Sequence, residues 1–271
     1  MTDVLAHFVA TDDGFRPTQY AHSRWGDDHL NGPAIVGLAA TELERRYGAP
    51  EFMPTRLTVD LFRAARARPT TVSSRLVRDG RRVRNAECEV IQDGAVVARA
   101  ILVLYRRSEA PPGQLWSAPG DFVAPPGVED ATPGERFPPF TGSDELGWTR
   151  RLGDHQNASR TRFVDRAIDV VDGTANSPFV RAAMVAEHTS LTAHLGTHGV
   201  GYINGDLTLA LARLPVSDWV GVQEDSHWAA DGISVGSATV FDRRGPIGTG
   251  VVTAVANPAA QIDFDTPTLE P

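Results

Sequence analysis

Three groups of residues carry side chains that could act as nucleophiles or metal ligands. Cys88 is the only cysteine, and its alternation with Glu87 and Glu89 favours a buried strand thiol over a catalytic one. Ser190 lacks the spacing of a nucleophile elbow, and no Ser-His-Asp order supports a serine hydrolase. Asp27-Asp28-His29 has no further ligand cluster nearby, so we predict no metal site. None of these motifs alone defines a reaction.

The composition narrows the class of protein. The chain has 271 residues, 41% of them hydrophobic, which is enough for one large or two ordinary domains. Its formal net charge of -8 argues against a general nucleic-acid binder, although a local basic patch for a phosphorylated ligand stays open. Residues 1–13 lack the pattern of a secretory signal, and no apolar run is long enough to cross a membrane. With a single cysteine, these features predict a cytoplasmic protein without a membrane partner.

A proline-rich stretch divides the chain between Ser108 and Phe140. Proline lacks an amide donor and disfavours helix in the residue before it, so this stretch predicts an extended linker. The flanking segments resemble each other. Leu57-Thr58-Val59 matches Leu207-Thr208-Leu209 at an offset of 150, and the glycines of two later hairpins, Gly94 and Gly245, are offset by 151.

This repeat predicts a duplicated domain, with chance similarity between two β-rich stretches as the alternative. We predict an N-terminal domain at 1–107, a Pro/Gly-rich linker at 108–142, a C-terminal domain at 143–258 and a tail at 259–271.

Each unit is predicted to begin with a helix. Gly32-Pro33 fits a helix start and Gly48 a stop, and the apolar residues between them share one face. The comparable helix of the second unit is predicted at about 178–195. Strands are predicted after each helix at 57–62, 72–77, 83–92, 96–105, 203–213, 219–224, 233–242 and 247–256. The pattern predicts an α+β fold in which each antiparallel sheet wraps around a long helix, and two such sheets can join edge to edge.

An ordered set of segments resembles a known family. The segments are Trp25-Gly26-Asp27-Asp28-His29-Leu30-Asn31-Gly32-Pro33, Asp60-Leu61-Phe62-Arg63, Tyr202-Ile203-Asn204-Gly205-Asp206-Leu207-Thr208, Leu214-Pro215-Val216-Ser217-Asp218-Trp219-Val220-Gly221 and Arg244-Gly245-Pro246-Ile247-Gly248. Together they resemble the acyl-CoA thioesterase II-like (TesB-like) double hotdog thioesterases of the actinobacterial type. The resemblance covers nearly the whole chain outside the linker and tail. It implies a double hotdog fold with one continuous sheet.

The resemblance also implies a site. Active family members use an acid on the second helix, a hydroxyl on the next strand and a glutamine on the last strand to orient a water. These positions fall on Glu187, Asn204 and Val252, with Thr253 beside the last. Only the acid keeps its chemistry clearly. A backbone amide at a helix N-terminus, at Asn31-Gly32, is implied to polarise the thioester carbonyl.

Several of these residues have a structural alternative. Glu187 could be a solvated helix residue, and Asn204 could satisfy a turn. Asn31 could simply cap the helix. His188 adjoins Glu187 and is a possible substitute base, with a surface histidine as the alternative. His29 is a possible further site residue in the segment before the first helix.

The implied function is hydrolysis of a fatty or other acyl-CoA thioester, in lipid metabolism, without a metal or nucleotide cofactor. The alternative is a catalytically weak or inactive acyl-thioester binding protein on the same scaffold. A hotdog hydratase or dehydratase is less favoured, because the Asp and His of its loop motif are missing and Asn257-Pro258 has no following histidine. The resemblance further implies a homodimer.

Overall fold

The structure is a computed structural model that describes residues 4–117, 120–130 and 137–265. Two short strands, β1 (Ala6–Thr11) and β2 (Gly14–Pro17), precede the first helix, α1 (Gly32–Tyr47). This opening hairpin was not predicted, because an alternation of four to six residues is too short to distinguish from a loop. The helix itself agrees with the prediction. Asn31 caps it by accepting a hydrogen bond from the Ala34 amide (2.9 Å).

Four strands follow α1 in the first half of the chain. They are β3 (Phe52–Leu61), β4 (Thr71–Asp79), β5 (Val83–Gln92) and β6 (Ala95–Arg106). Asp93 and Gly94 both have positive φ at the β5–β6 turn, as a tight two-residue hairpin requires. The buried residues of β5 alternate along the strand and include Cys88, so its thiol is a core group, and burial raises its pKa to about 12.

The second half opens with four more short strands that were not predicted. They are β7 (Phe140–Ser143), β8 (Gly147–Thr149), β9 (Thr161–Asp165) and β10 (Asp169–Val171). Strand β10 pairs in parallel with β1, so the opening hairpin of the chain is bound to the second half. Both halves therefore begin with strands, and the expectation that each begins with a helix is wrong.

The second helix is broken where the sequence predicted one continuous helix. It consists of α2 (Pro178–Ala186) and α3 (Thr189–His194). At the break, the His188 amide donates a hydrogen bond to the Val185 carbonyl (3.0 Å), which tightens the turn. No proline or glycine in the sequence marks this turn.

Seven strands follow the second helix. They are β11 (Leu195–Gly196), β12 (Gly199–Val200), β13 (Tyr202–Asn204), β14 (Asp206–Leu211), β15 (Val220–Ala230), β16 (Ile233–Asp242) and β17 (Gly245–Ala256).

One antiparallel sheet of twelve strands runs through both halves, in the order β4-β5-β6-β3-β14-β17-β16-β15-β9-β7-β8, with β13 paired to β17. The seam is the β3–β14 pair, where Thr58 faces Thr208 and their hydroxyls lie 3.2 Å apart. Leu57 faces Leu209 and Val59 faces Leu207. The repeated triplets of the sequence are thus the two strands that meet at the pseudo-twofold axis. This confirms the predicted double hotdog architecture.

The helices pack on one face of this sheet and against each other. Gly37 of α1 lies at a tight contact, because a Cβ there would collide with Met184 of α2 and Val170 of β10. The main apolar core spans both halves and includes large fully buried side chains such as Phe8, Leu38 and Phe179. Each such side chain contributes about 1.5–3 kcal/mol to folding. No helix among the described residues is both long and apolar enough to span a bilayer.

The segment between β6 and β7 packs against the second half of the protein. Its described residues form no helix or strand, yet Phe122 and Val128 belong to a second apolar cluster with Trp219. The indole of Trp219 donates to Glu129 (2.7 Å). We propose that the two domains and the linker have the limits predicted from the sequence.

Candidate active site

A cavity of about 550 Å³ lies at the N-terminus of α1. Its walls come from both halves of the chain and from the segment after β17. Most of the lining is apolar, which is typical of ligand pockets of this size. The apolar lining residues are Trp25, Leu30, Ile35, Leu61, Val97, Leu191, Val200, Ile203, Val255, Ile262 and Phe264.

Glu187 is the carboxylate of this cavity. It follows α2 directly, at the break in the helix, and its side chain is buried against the first turn of α1. The contact is so close that a Cβ on Gly32 would collide with the carboxylate. Burial raises the pKa of Glu187 to about 7, an effect that the hydrogen bond from Asn204 partly opposes. A carboxylate with that pKa can accept a proton near neutral pH.

Asn204 orients Glu187. It lies at the end of β13, and its Nδ2 donates to Oε1 of Glu187 (3.1 Å) and to the carbonyl of Asp206 (3.3 Å). The Asn204 amide therefore holds one of the two carboxylate oxygens in place. Asn204 and Glu187 come from separate elements of the second half, and the fold brings them together on the N-terminus of the first-half helix.

The N-terminus of α1 supplies a hydrogen-bond donor. The Ala34 amide is capped by Asn31, whose own amide donates to the Ala21 carbonyl (2.8 Å), and Pro33 has no amide. This leaves the amide of Gly32 for a ligand. The Asn31 side chain also donates to the carbonyls of Tyr20 and His22, at 2.9 and 3.2 Å. Asn31 thus fixes the turn that presents Gly32.

Family models and solved structures can now be compared with this site. Residues 21–105 match the model of the acyl-CoA thioesterase N-terminal domain, and residues 113–255 match that of the acyl-CoA thioesterase C-terminal domain. Together the two matches cover most of the chain. It belongs to the acyl-CoA thioesterase family.

Solved structures show the same fold at low identity. The chain is similar to the TesB protein of Mycobacterium avium subspecies paratuberculosis, with 18% identity, a TM-score of 0.64, and coverage of 93% of this chain and 96% of the other. It is similar to an acyl-CoA thioesterase II of Mycobacterium marinum, with 16% identity, a TM-score of 0.64, and coverage of 96% and 98%. It is also similar to a hot dog fold protein of unknown function from Alicyclobacillus acidocaldarius, with 18% identity, a TM-score of 0.63, and coverage of 95% of this chain and 97% of the other. A search of curated proteins finds no match.

The residue at the family's glutamine position and its neighbour both lie outside the cavity. Val252 is fully buried in the main core, and Thr253 is exposed and bonded through its hydroxyl and amide to Asp206. The residue paired with Asn204 across the sheet is Ala254. No glutamine side chain lines the cavity among the described residues.

The two histidines have different positions. His29 lines the cavity, and its Nδ1 lies 3.4 Å from the Arg66 guanidinium and 3.6 Å from Asp28. His188 does not line the cavity, although it follows Glu187 in the chain. Its ring stacks on Phe163 with 4.1 Å between centroids, and burial lowers its pKa to about 4. His188 is therefore not an exposed surface histidine. It also lies outside the cavity in which a base would act.

The contribution of the tail to the cavity was not predicted. Ile262 and Phe264 line the cavity, and both lie in the segment predicted as a tail beyond the domain. They alternate with Asp263 and Asp265, a period-2 pattern of the kind that marks a half-buried extended segment.

Two further polar residues line the cavity. They are Ser190, one turn after Glu187, and Tyr202.

A larger and more open cavity of about 720 Å³ adjoins the first one beyond Tyr202. It contains neither Glu187 nor Gly32, and its polar lining includes His194, His227 and Glu224. The buried carboxylate of Glu187 and the first turn of α1 meet at the smaller cavity. The described residues contain no group of His, Cys, Asp and Glu that could hold a metal ion.

Proposed function

We propose that the chain hydrolyses acyl-CoA thioesters, with Glu187 as the general base. The observation that carries this proposal is the burial of the Glu187 carboxylate directly on the N-terminus of α1, in an apolar cavity. The raised pKa, about 7, suits a group that must accept a proton from water at neutral pH. The apolar lining fits the acyl chain of such a substrate.

The proposed reaction has two steps. Glu187 takes a proton from water as the water oxygen attacks the thioester carbonyl carbon, and the carbonyl oxygen gains negative charge. The Gly32 amide and the dipole of α1 stabilise this oxyanion. The intermediate then collapses, the carbon–sulfur bond breaks, and the proton passes to the sulfur. The products are a carboxylic acid and the free thiol of CoA.

A specific observation supports the alternative of an acyl-thioester binding protein. The family glutamine position falls on Val252, which is a core residue, so one polar group that orients water in the family is replaced by apolar packing. The polar side chains of Ser190 and Asn204 line the same cavity as Glu187. We infer that Asn204 positions Glu187 through its hydrogen bond of 3.1 Å.

The test is a thiol-release assay with a panel of acyl-CoAs on the parent and on Glu187→Gln. We expect turnover to fall by about 10²- to 10⁴-fold, because general-base catalysis is worth that much. The matched control is Glu44→Gln, which alters another partly buried carboxylate at a helix N-terminus and should leave turnover unchanged.

Parental turnover in Glu187→Gln would contradict the proposal. A parent that releases no thiol, while acyl-CoA raises its melting temperature, would establish the binding-protein alternative instead.

Assembly is a separate proposal. We propose a homodimer, in line with the expectation above, and expect light scattering at micromolar concentration to give twice the 29.2 kDa of one chain. A mass of one chain would contradict the dimer without affecting the proposed chemistry.

A further inference from the structure

The segment after the last strand closes one side of the cavity. Ile262 and Val200 exchange two backbone hydrogen bonds of 2.9 Å each. The Phe264 amide donates to Oε1 of Gln156 (2.9 Å), and its ring lies 5.1 Å from the guanidinium carbon of Arg24. We call residues 258–265 the strap.

Besides Val200, which lines the cavity, two anchors of the strap lie outside it, one in each half of the protein. Gln156 also donates to Asp263 (3.0 Å) and to Asp265 (3.1 Å), so one side chain binds three positions of the strap. Arg24 holds the strap on the first half. Neither Gln156 nor Arg24 lines the cavity. The strap is thus held from its outer side, while its inner side is free to contact a ligand.

The alternation of the strap explains which side chains face the ligand. Asp263 and Asp265 are exposed and meet Gln156, whereas Ile262 and Phe264 are half-buried and line the cavity that contains Glu187. Both inward side chains are apolar. They match the hydrocarbon part of a substrate better than the phosphates of CoA, whose charge would have to be desolvated there.

We propose that Ile262 and Phe264 determine the acyl specificity of the cavity by limiting the size of the acyl group. This inference rests on the proposed function. Ile262 is fixed by its backbone pairing and Phe264 by Arg24 and Gln156, so neither can move aside without losing these contacts. A wall held in this way discriminates by volume, and one methylene in an apolar pocket changes specificity by about 10- to 200-fold.

The experiment compares thiol release from acetyl-, octanoyl- and palmitoyl-CoA by the parent, Phe264→Ala and Gln156→Ala. Phe264→Ala should raise the ratio of kcat/KM for palmitoyl- over acetyl-CoA by about tenfold or more, because it enlarges the cavity. Gln156→Ala should shift the ratio in the same direction by less, since it loosens the strap and leaves the lining intact. The matched control is Phe137→Ala, which removes a half-buried phenylalanine lying under Arg150 and Arg166, away from the cavity.

An unchanged ratio in Phe264→Ala, or an equal shift in Phe137→Ala, would overturn the inference. If the parent releases no thiol, the proposed hydrolysis fails but the strap is still tested. In that case the same three acyl-CoAs are ranked by the rise in melting temperature that each produces. A ranking that moves toward palmitoyl-CoA in Phe264→Ala supports the inference, and an identical ranking overturns it.

Discussion

The N-termini of the two main helices face equivalent parts of the double fold but differ in chemistry. At α1, the carboxylate of Glu187 rests on Gly32 beside a cavity of about 550 Å³. At α2, the carboxylate of Glu44 accepts a hydrogen bond from the hydroxyl of the cap residue Ser177, beside a cavity of about 170 Å³. Each half thus places a partly or fully buried acid on the helix of the other, yet only one arrangement leaves space for a substrate.

A shift of one position in a proline explains part of this difference. In α1 the proline is the second helical residue, so the first amide, that of Gly32, remains available. In α2 the first helical residue is Pro178, which has no amide to offer. The cap Ser177 both accepts from the Val180 amide (3.1 Å) and donates to Glu44. The two helix ends thus leave different amides without an intrahelical partner: the first one, of Gly32, in α1, and the second one, of Phe179, in α2.

The largest effect is expected from Gly32→Ala. The added methyl would push the Glu187 carboxylate away from the helix N-terminus, and misplacement of a catalytic group by about 1 Å costs about 10²-fold in rate. We expect kcat/KM to fall at least that much. Pro178→Ala is the control at the other helix, where we expect no loss, and a melting curve shows whether each variant is folded. Retention of full activity in Gly32→Ala would show that catalysis does not depend on the close contact between Glu187 and Gly32.

The pH dependence should separate the two acids. With a Glu187 pKa of about 7, kcat/KM should fall about tenfold per pH unit below 7, because the base must be ionised. Glu44→Gln should keep this profile and Glu187→Gln should lose it.

Stability is expected to follow the same group in the opposite sense. The folded-state pKa is raised above the ordinary 4.5, so the stabilising contribution of protonated Glu187 is complete below pH 4.5 and lost as pH rises through 7. Melting temperatures of the parent and Glu187→Gln between pH 4.5 and 8 measure this difference. A constant difference would contradict the assignment.

A smaller effect is expected from Asn204→Ala. Loss of the hydrogen bond to Glu187 removes the group that holds the carboxylate and partly opposes the rise of its pKa. We expect kcat/KM to fall about tenfold, less than for loss of the base, and its pH midpoint to move above 7. A full pH–rate profile distinguishes this result from simple unfolding, which would leave the midpoint in place.

The smallest effect on catalysis is expected from Val252→Gln, which introduces the side chain that the family carries at the aligned position. Because Val252 is fully buried in the core, the amide would lack a partner and cost about 1–3 kcal/mol in unfolding free energy. We expect urea unfolding to show this loss and turnover to stay at the parental level. A clear gain in turnover would mean that the amide reaches the cavity.

The sequence predicted the duplicated fold well for a physical reason. The long strands alternate over ten or more residues, and the helix α1 has both a cap and a stop, so local signals agree with the final structure. The four short strands before α2 were missed because three to five residues carry too little pattern. The break at Glu187 was missed because it depends on how α2 and α3 pack, and no residue type marks it.

The candidate site was predictable only in part. The resemblance pointed to Glu187, Asn204 and Gly32, and these three residues do lie together in the structure. Their proximity depends on contacts between halves, which periodicity cannot reveal. The strap was missed because its few apolar residues lie beyond the last predicted strand, where only packing against Val200 and Gln156 gives them a position.

The pairing of β1 with β10 has a consequence for dividing the chain. If the backbone were cut within 108–117, the first fragment would carry β1, and the second would carry its partner β10. The cut would also separate β3 from β14 and leave each fragment with an unpaired inner strand, a surface that promotes aggregation. Two such fragments would have complementary edges at two separate places. We therefore expect the two fragments to reassemble through these two strand pairs, and Glu187 to meet Gly32 only in the complex.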